Sequence, residues 1–407
     1  LAGPLHAQPT EHTYADLERI ADADTMVMMP MRDGVRLATD IFRPKDADGP
    51  LPLIFIKTPY DFNEVDGATL QWTYEAVSRG YAVAIQNERG RYYSEGEWSI
   101  LGNPRTDGWD ALEWFIDQPW SNGAVGTLGC SSSAEWQLAL AAMDHPAHKA
   151  MVPMAAGAGI GRVGEFMEQG NWYKGGVHQT LFSVWLYSVQ QQVYPRFDPG
   201  TSEEDLRRFR KLYDLAPEMP EVDWAKQLRK LPAIDWLDDA GANYGPMQDL
   251  MRRAPADPAW FDGGLWHDDE KIGVPGFWFN SWFDVSQGPN LAAYREAREN
   301  GVTREDRDGQ YVTIGPNLHC AFYRLPEHED YMAGDLNVGN AWFPLYDQLF
   351  AFLDAYLKDE TTQEFRDLPR VQYYTLGRNE WASADEWPPR EVETRTLFLS
   401  SDEGANS

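Results

Sequence analysis

Only two cysteines, Cys130 and Cys320, stand in 407 residues, and neither they nor the eight histidines show metal-ligand spacing. No metal or cofactor site is therefore expected. No run of about eighteen or more apolar residues is present, so no segment reads as a membrane-spanning helix. Positive charge is scarce: 35 Lys and Arg face 64 Asp and Glu, a net charge of −29. Nucleic acid and anionic membrane surfaces would be repelled, so neither is an expected partner. Arg far outnumbers Lys among the cations, which fits a strongly hydrated acidic surface or simple solubility through self-repulsion. Internal repeats and low-complexity segments are missing too.

What is present is the composition of a folded protein, 43% hydrophobic and rich in Trp (17) and Tyr (19). The length implies two or three structural units. Residues 1–24 form a polar N-terminal extension. Its start, Leu1 to Gln8, has small residues near Ala7 and reads as the remnant of an export signal, though a cloning remnant would look the same. Residues 25–155 alternate strand and helix signals. A hairpin is expected over Met26–Met31 and Val35–Phe42, and buried strands over Leu51–Ile56, Tyr81–Ile85, Gly123–Leu128 and Ala150–Ala155. Helical spacing appears over Ala111–Ile116 and Glu135–Met143. This alternation predicts βαβ units and an α/β fold.

Strand signals fade over 156–270, where Leu181–Gln191 and Ser202–Tyr213 read as helices of an inserted helical cap. The sheet pattern resumes over 271–365, with strands at Val274–Phe279 and Gln310–Ile314 and a long helix at Trp342–Leu357. Val371–Leu376 and Thr394–Leu399 read as strands of a new β unit over 366–407. Forty residues are too few for a sandwich. Either the chain is a fragment or its remainder lies on another polypeptide, which makes a second chain or a homo-oligomer an expected partner.

The sharpest local feature is Gly129-Cys130-Ser131-Ser132-Ser133-Ala134, set between a strand and a helix. A tight turn there lifts a serine above the sheet edge, and the helix N-terminus offers N–H groups to a developing oxyanion. By itself the pattern is equally that of a polar turn. Asp284 follows the strand beginning at Val274, and His319 follows the strand ending Ile314-Gly315-Pro316-Asn317-Leu318. Ser, Asp, His, each just past the carboxyl end of a strand, is the α/β-hydrolase order. Ser131 is then the nucleophile, His319 its base and acid, and Asp284 the group that orients the imidazole. The other histidines, His6, His12, His145, His148, His178, His267 and His328, read as surface or packing residues.

Each cysteine adjoins one of the two proton-exchanging residues. If the triad forms, the thiols meet beneath it, so a Cys130–Cys320 disulfide is expected, provided the Cα atoms come within roughly 7 Å. Closing so long a loop would stabilise the fold by roughly 4–5 kcal/mol in the chain-entropy model. A disulfide also implies an oxidising compartment, hence a secreted or periplasmic protein. Two buried free thiols are the rival reading.

Several stretches together resemble the cocaine esterase and X-prolyl dipeptidyl peptidase group, which includes α-amino-acid ester hydrolases and cephalosporin acylases. They are Met31 to Leu37, Thr58-Pro59-Tyr60-Asp61, Arg79 to Gln86, Arg89 to Gly96, Trp109-Asp110 with Trp114, and Trp120 to Gly123. Ser281 to Asp284, Ile314 to His319, Gly377 to Trp381 and Glu386 to Pro389 complete the set. The resemblance runs from about residue 25 to the end. It implies an α/β-hydrolase core, a helical cap and the beginning of a C-terminal jelly-roll.

By position it also implies that the Tyr60 hydroxyl and the Ser132 N–H form the oxyanion hole. The group usually has Tyr after the nucleophile and Gly two positions beyond; Ser132 and Ala134 stand there instead, so substrate preference cannot be carried over. Cys130-Ser131, Asp284 and His319-Cys320 are also similar to the CS-D-HC signature of tannases and feruloyl esterases, which keeps aromatic acid esters among the candidate substrates.

The expected function is cleavage of an ester, amide or short peptide through an acyl-enzyme, with an esterase or acylase favoured over an Xaa-Pro dipeptidyl peptidase. A peptidase would need cap acids such as Glu165, Glu168 or Asp268 to hold a free amine. The non-enzymatic alternative is a ligand-binding module on a hydrolase scaffold, using the Trp-rich cap.

Overall fold

The computed structural model describes residues 12–398 except 61–66, 101, 167–172, 175–176, 191–195, 214, 216–218, 243–244, 255–256 and 394. Residues 1–11 of the N-terminal extension, with His6, and the cap acid Glu168 lie outside the described residues.

The chain enters through a short helix, α1 (Tyr14–Ile20), whose N-cap Thr13 and N3 Asp16 form a capping box. The hairpin follows as β1 (Ala21–Pro30) and β2 (Arg36–Pro44). Then come β3 (Leu51–Thr58), α2 (Gly67–Ser78), β4 (Ala82–Asn87), α3 (Pro104–Ile116), β5 (Ser121–Cys130), α4 (Ser132–Ala141) and β6 (His148–Met154). The cap contributes α5 (Thr180–Gln190) and α6 (Glu203–Leu212), both at the expected positions, with shorter helical turns after them. The core resumes with β7 (Gly276–Phe283), α7 (Gln287–Asn300), β8 (Gln310–Leu318) and α8 (Leu345–Leu357), and continues into β9 (Val371–Thr375) and β10 (Glu380–Ala384).

These ten strands form one sheet, in the order β1-β2-β4-β3-β5-β6-β7-β8-β9-β10. Pairing is parallel from β4 through β9 and antiparallel at the β1–β2, β2–β4 and β9–β10 contacts. The central strands are buried on both faces, which is why β3 reads as a continuous apolar run rather than an alternating one. Alternation survives in where each side chain goes. Ile54, Ile56, Val83, Ile85, Phe277 and Phe279 pack with residues of α2 and α8 on one face. Leu53, Phe55, Ala82 and Ala84 pack with residues of α3 and α4 on the other, and Trp278, Val312 and Ile314 pack there with α4 and α7. Such two-sided cover is what a parallel sheet requires.

The chain after 366 differs from the expectation of a separate β unit. Val371–Thr375 is a strand, but it pairs parallel with β8 through Val312–Val371 and Ile314–Tyr373, and β10 pairs with it. Tyr374 and Val371 are buried in the hydrolase core. The boundary at 366 therefore falls inside the sheet, because β8 would otherwise present a bare edge next to an apolar strand. Of the strand expected at 394–399, residues 395–398 are not in a strand, and Leu397 and Phe398 are exposed.

Candidate active site

Parallel strands of a doubly covered sheet open toward ligands at their carboxyl ends. β5 ends at Cys130, α4 begins at Ser132, and Ser131 alone makes the turn with φ 56° and ψ −131°. A non-glycine residue there costs on the order of 1–3 kcal/mol, which the surroundings must hold in place. They do so with three backbone bonds: Ser131 N–H donates to Met154 O (3.0 Å), and Ala134 and Glu135 N–H donate to Ser131 O (2.7 and 2.9 Å). Gly129 is required by the same turn, since a Cβ there would sit 1.9 Å from Ser133 O. The helix starts at Ser132 rather than at the expected Glu135, so Glu135 falls in its first turn.

Asp284 lies just past β7 and is buried. Its Oδ1 accepts from Ser286 N–H (2.9 Å) and Ser286 Oγ (2.8 Å), and its Oδ2 contacts His319 Nδ1 at 2.7 Å. Burial alone would push this carboxyl up. The bonds from His319 and Ser286 outweigh it and hold Asp284 below its ordinary value. A carboxylate accepts only, so a neutral His319 carries its proton on Nδ1 and has a lone pair on Nε2.

Cys130 and Cys320 are joined, with S–S 2.01 Å and Cα atoms 5.9 Å apart across 190 positions of sequence. The link ties the residue before Ser131 to the residue after His319. Cys320 also has positive φ (56°), so the His loop, like the serine turn, is held in a left-handed kink.

Ser131 and His319 line one cavity of about 500 Å³. Their side chains are not hydrogen-bonded to each other. The cavity walls are aromatic: Tyr60 and Trp72 from the core side, Phe182 and Trp185 from α5, and Tyr323 after β8. Tyr60 stands just past β3, its backbone carbonyl accepting from Asn87 Nδ2 (2.8 Å), while Arg91 Nε donates to the preceding Pro59 O (2.9 Å). Part of the Arg89-to-Gly96 stretch thus buttresses Tyr60. Trp185 Nε1 donates to the Tyr60 hydroxyl (3.1 Å). Although 37% of the residue is exposed, its hydroxyl end is set among protein atoms, and this desolvation pushes it up to about 12. Ser132 opens α4, so its N–H has no intrahelical carbonyl to bond and is available to the cavity.

Other candidate residues lie elsewhere. Asp268 is engaged by Arg162 (2.8 Å) and Gly164 N–H (2.8 Å), Glu165 is exposed, and neither lines the cavity. His145 contacts Glu113 at 2.8 Å, His148 contacts Thr127, His178 contacts Ser183, and His267 stacks on Phe261. Among the described residues, no group of three or more His, Cys, Asp or Glu could hold a metal ion.

Sequence reading missed Trp185, Glu135, Ser286 and Arg324, all on the cavity wall. Glu135 carried a signal: α4 is buried on every side, so an acid within it must be buried too. Its 4% exposure agrees, and burial, with Glu88 and Asp284 nearby, raises its carboxyl well above the ordinary range.

Residues 33–321 match the family model of X-Pro dipeptidyl-peptidases (S15 family). The chain is 28% identical over 393 residues to the cocaine esterase of Rhodococcus sp. (strain MB1 Bresler), covering 94% of this chain and 63% of that protein. It is 24% identical to a putative serine esterase of Mycobacterium bovis, covering 91% and 62%. Among solved structures, an α-amino acid ester hydrolase superposes with a TM-score of 0.68 at 22% identity, over 95% of this chain and 62% of that one. An aminopeptidase from a marine sediment Thaumarchaeota archaeon superposes with a TM-score of 0.67 at 23% identity, over 98% and 64%. These two share the α/β-hydrolase-type fold. The chain spans about three fifths of the length of the curated relatives it matches.

Proposed function

The chain belongs to the X-Pro dipeptidyl-peptidase (S15) family, and on that premise we propose that it is a serine hydrolase cleaving a carboxylic ester or amide through an acyl-enzyme on Ser131. The observation that carries the reading is an imidazole, bonded at Nδ1 to a buried carboxylate, facing the same cavity as a serine in a strained strand-to-helix turn.

In the proposed reaction His319 Nε2 removes the Ser131 proton as Oγ attacks the carbonyl carbon. Substrate binding must first bring these two side chains into hydrogen-bond contact, as catalytic contacts often tighten only with substrate present. The carbonyl oxygen becomes an oxyanion and accepts from the Tyr60 hydroxyl and the Ser132 N–H. The tetrahedral intermediate collapses, and His319 returns the proton to the departing alcohol or amine. Water, deprotonated by His319, then releases the acid and restores Ser131. Asp284 stabilises the imidazolium in both halves.

Aromatic walls and the engagement of Asp268 by Arg162 favour an esterase or acylase acting on a substrate with an aromatic group. The putative serine esterase and the cocaine esterase among the relatives agree with that choice. The family's own description supplies the second reading, an Xaa-Pro dipeptidyl peptidase, for which Glu135 would have to take the substrate amine. The disulfide supports a secreted or periplasmic location.

Ser131→Ala, assayed on aryl esters and on Gly-Pro-anilide, tests both readings. Turnover and fluorophosphonate labelling are expected to disappear, with the ester the better substrate of the wild-type protein. Turnover undiminished in Ser131→Ala would overturn the mechanism, and a preference for the anilide would exchange the two substrate readings.

A further inference from the structure

With 64 Asp and Glu against 35 Lys and Arg, a cation in this chain readily finds an acid. Arg89 holds Asp33 and Asp107, Arg105 holds Glu270, Arg162 holds Asp268, and Arg210 holds Asp40. Arg324, half-buried on the wall of the cavity that holds Ser131 and His319, makes no ion pair among the described residues. Its side-chain hydrogen bond runs from Nε to the Tyr323 hydroxyl (3.1 Å), and its Cζ lies 5.2 Å from the centre of that ring. With Nε held, the edge formed by Nη1 and Nη2 stays open, and such an edge matches the two oxygens of a carboxylate.

The turn that carries Arg324 is fixed in place. Phe322 is buried against Phe279 of β7, with ring centres 5.4 Å apart, and Arg324 N–H donates to Ala321 O (3.1 Å). Just before this turn, Cys320 is tied to Cys130. The carboxyl on the same cavity wall, Glu135, does not take the guanidinium. No cation acts on it, and burial keeps it well above the ordinary range.

In serine hydrolysis the imidazole that activates the nucleophile hands its proton to the departing group, so that group lies on the imidazole's side. Arg324 follows His319 on the same loop and shares its cavity. We propose that Arg324 is a specificity-determining residue that binds a carboxylate on the leaving group, so that the substrates are esters of hydroxy acids or amides of amino acids. The inference rests on the hydrolase reading above and names the substrate class of that site. A chain of net charge −29 repels such an anion at a distance, and a fixed cation in the cavity offsets that repulsion where the substrate settles. Cleavage of the ester leaves the acyl group on Ser131 and releases the hydroxy acid, whose new O–H carries the proton from His319.

The test measures kcat/KM for 4-acetoxybenzoate and for its methyl ester in the wild type, Arg324→Met and Arg324→Lys. The two esters share an acyl group and differ in the charge of the leaving group, so their ratio cancels whatever a variant does to both. The ratio of acid to methyl ester should fall about tenfold to a hundredfold in Arg324→Met, through KM, which is the range for a hydrogen bond to a charged group. Arg324→Lys keeps the charge without the fork, and its ratio should fall by about threefold to tenfold. Mono-p-nitrophenyl succinate against p-nitrophenyl acetate places the carboxylate on the acyl side instead, and that ratio should stay constant. Fluorophosphonate labelling of Ser131 shows that a variant is folded at its site. Should Arg324→Met fail to label, Arg324→Lys carries the test.

An unchanged acid-to-ester ratio in a labelled variant would overturn the proposal. A larger change in the succinate ratio would overturn the assignment to the leaving group. Binding of 4-hydroxybenzoate to Ser131→Ala, with and without Arg324→Met, needs no turnover and is read by calorimetry. Binding that depends on Arg324, in a protein whose wild type cleaves none of these esters, would remove the hydrolase reading and keep the anion site. Equal binding with and without Arg324, beside normal turnover, would remove the anion site alone.

Discussion

One backbone angle sets where the proposed nucleophile, Ser131, stands. A left-handed serine at the end of β5 projects its hydroxyl past the sheet edge, while three backbone bonds and Gly129 keep the turn from relaxing. Asp284 acts at the same scale. In the proposed mechanism it reaches the reaction only through the tautomer of His319, so Asp284→Asn should lower kcat by about 10⁴ while leaving the fold intact, as read by circular dichroism. Activity within tenfold of wild type would remove Asp284 from the site. Because the native carboxyl is held below its ordinary value, its stabilising effect is present above about pH 4 and is lost as pH falls through the lowered native value.

That Ser131 and His319 reach one cavity and that Asp284 bonds His319 was legible in the sequence, because each of the three follows a strand that reads as apolar. Trp185 was not, because its contact with Tyr60 crosses 125 positions and joins two units of the chain. Ser286 lay hidden as an ordinary polar residue until Asp284's second oxygen was seen to need a donor.

At the scale of elements, two strained loops are locked to each other. The disulfide spans 190 positions, so the unfolded chain loses much loop entropy when it forms, and stability should drop by up to about 5 kcal/mol without it. The double variant Cys130→Ser/Cys320→Ser, melted alongside the reduced and oxidised wild type, is expected to show that loss together with lower kcat, since both loops would relax from positive φ. Equal melting temperatures in all three would mean the link is not formed or carries no constraint. Most elements of the α/β core, including the hairpin of β1 and β2, and the cap helices α5 and α6 could be read from period and punctuation alone. β9 was recognised as a strand but assigned to a new unit, because a strand's sequence states its burial and not its neighbour. Its partner β8 lies beyond the whole of α8, and no periodicity carries that pairing. α2 escaped notice because its run of Thr, Trp, Tyr and Val mixes polar and apolar residues without the breaks that mark a helix's start and end.

Over the whole molecule two electrostatic effects act on stability. The net charge of −29 makes the folded state repel itself, and salt shortens the range of that repulsion from about 30 Å at 0.01 M to about 8 Å at 0.15 M. The melting temperature should rise over that interval; a fall would mean that the surface ion pairs outweigh the repulsion. Buried acids act in the other direction with pH. Glu88 and Glu135 are both raised, chiefly by burial. Their contribution is complete below the ordinary carboxylate value of about 4.3 and is lost as pH rises through the higher native values. Glu88→Gln should therefore narrow the loss of stability between pH 5 and pH 8, measured by thermal melts at each pH. An unchanged slope would show that Glu88 is not part of it.

Three serines stand in a row where β5 passes into α4, and the proposed mechanism puts the acyl group on one of them. Rapid acid quenching during turnover of p-nitrophenyl acetate, followed by peptide mass spectrometry, identifies which. An acetyl group on Ser131, absent from Asp284→Asn and His319→Ala at the same reaction time, is the expected result. Acetyl on Ser132 or Ser133, or turnover with no adduct on this peptide at any time, would contradict the assignment of the nucleophile and with it the mechanism built on that turn.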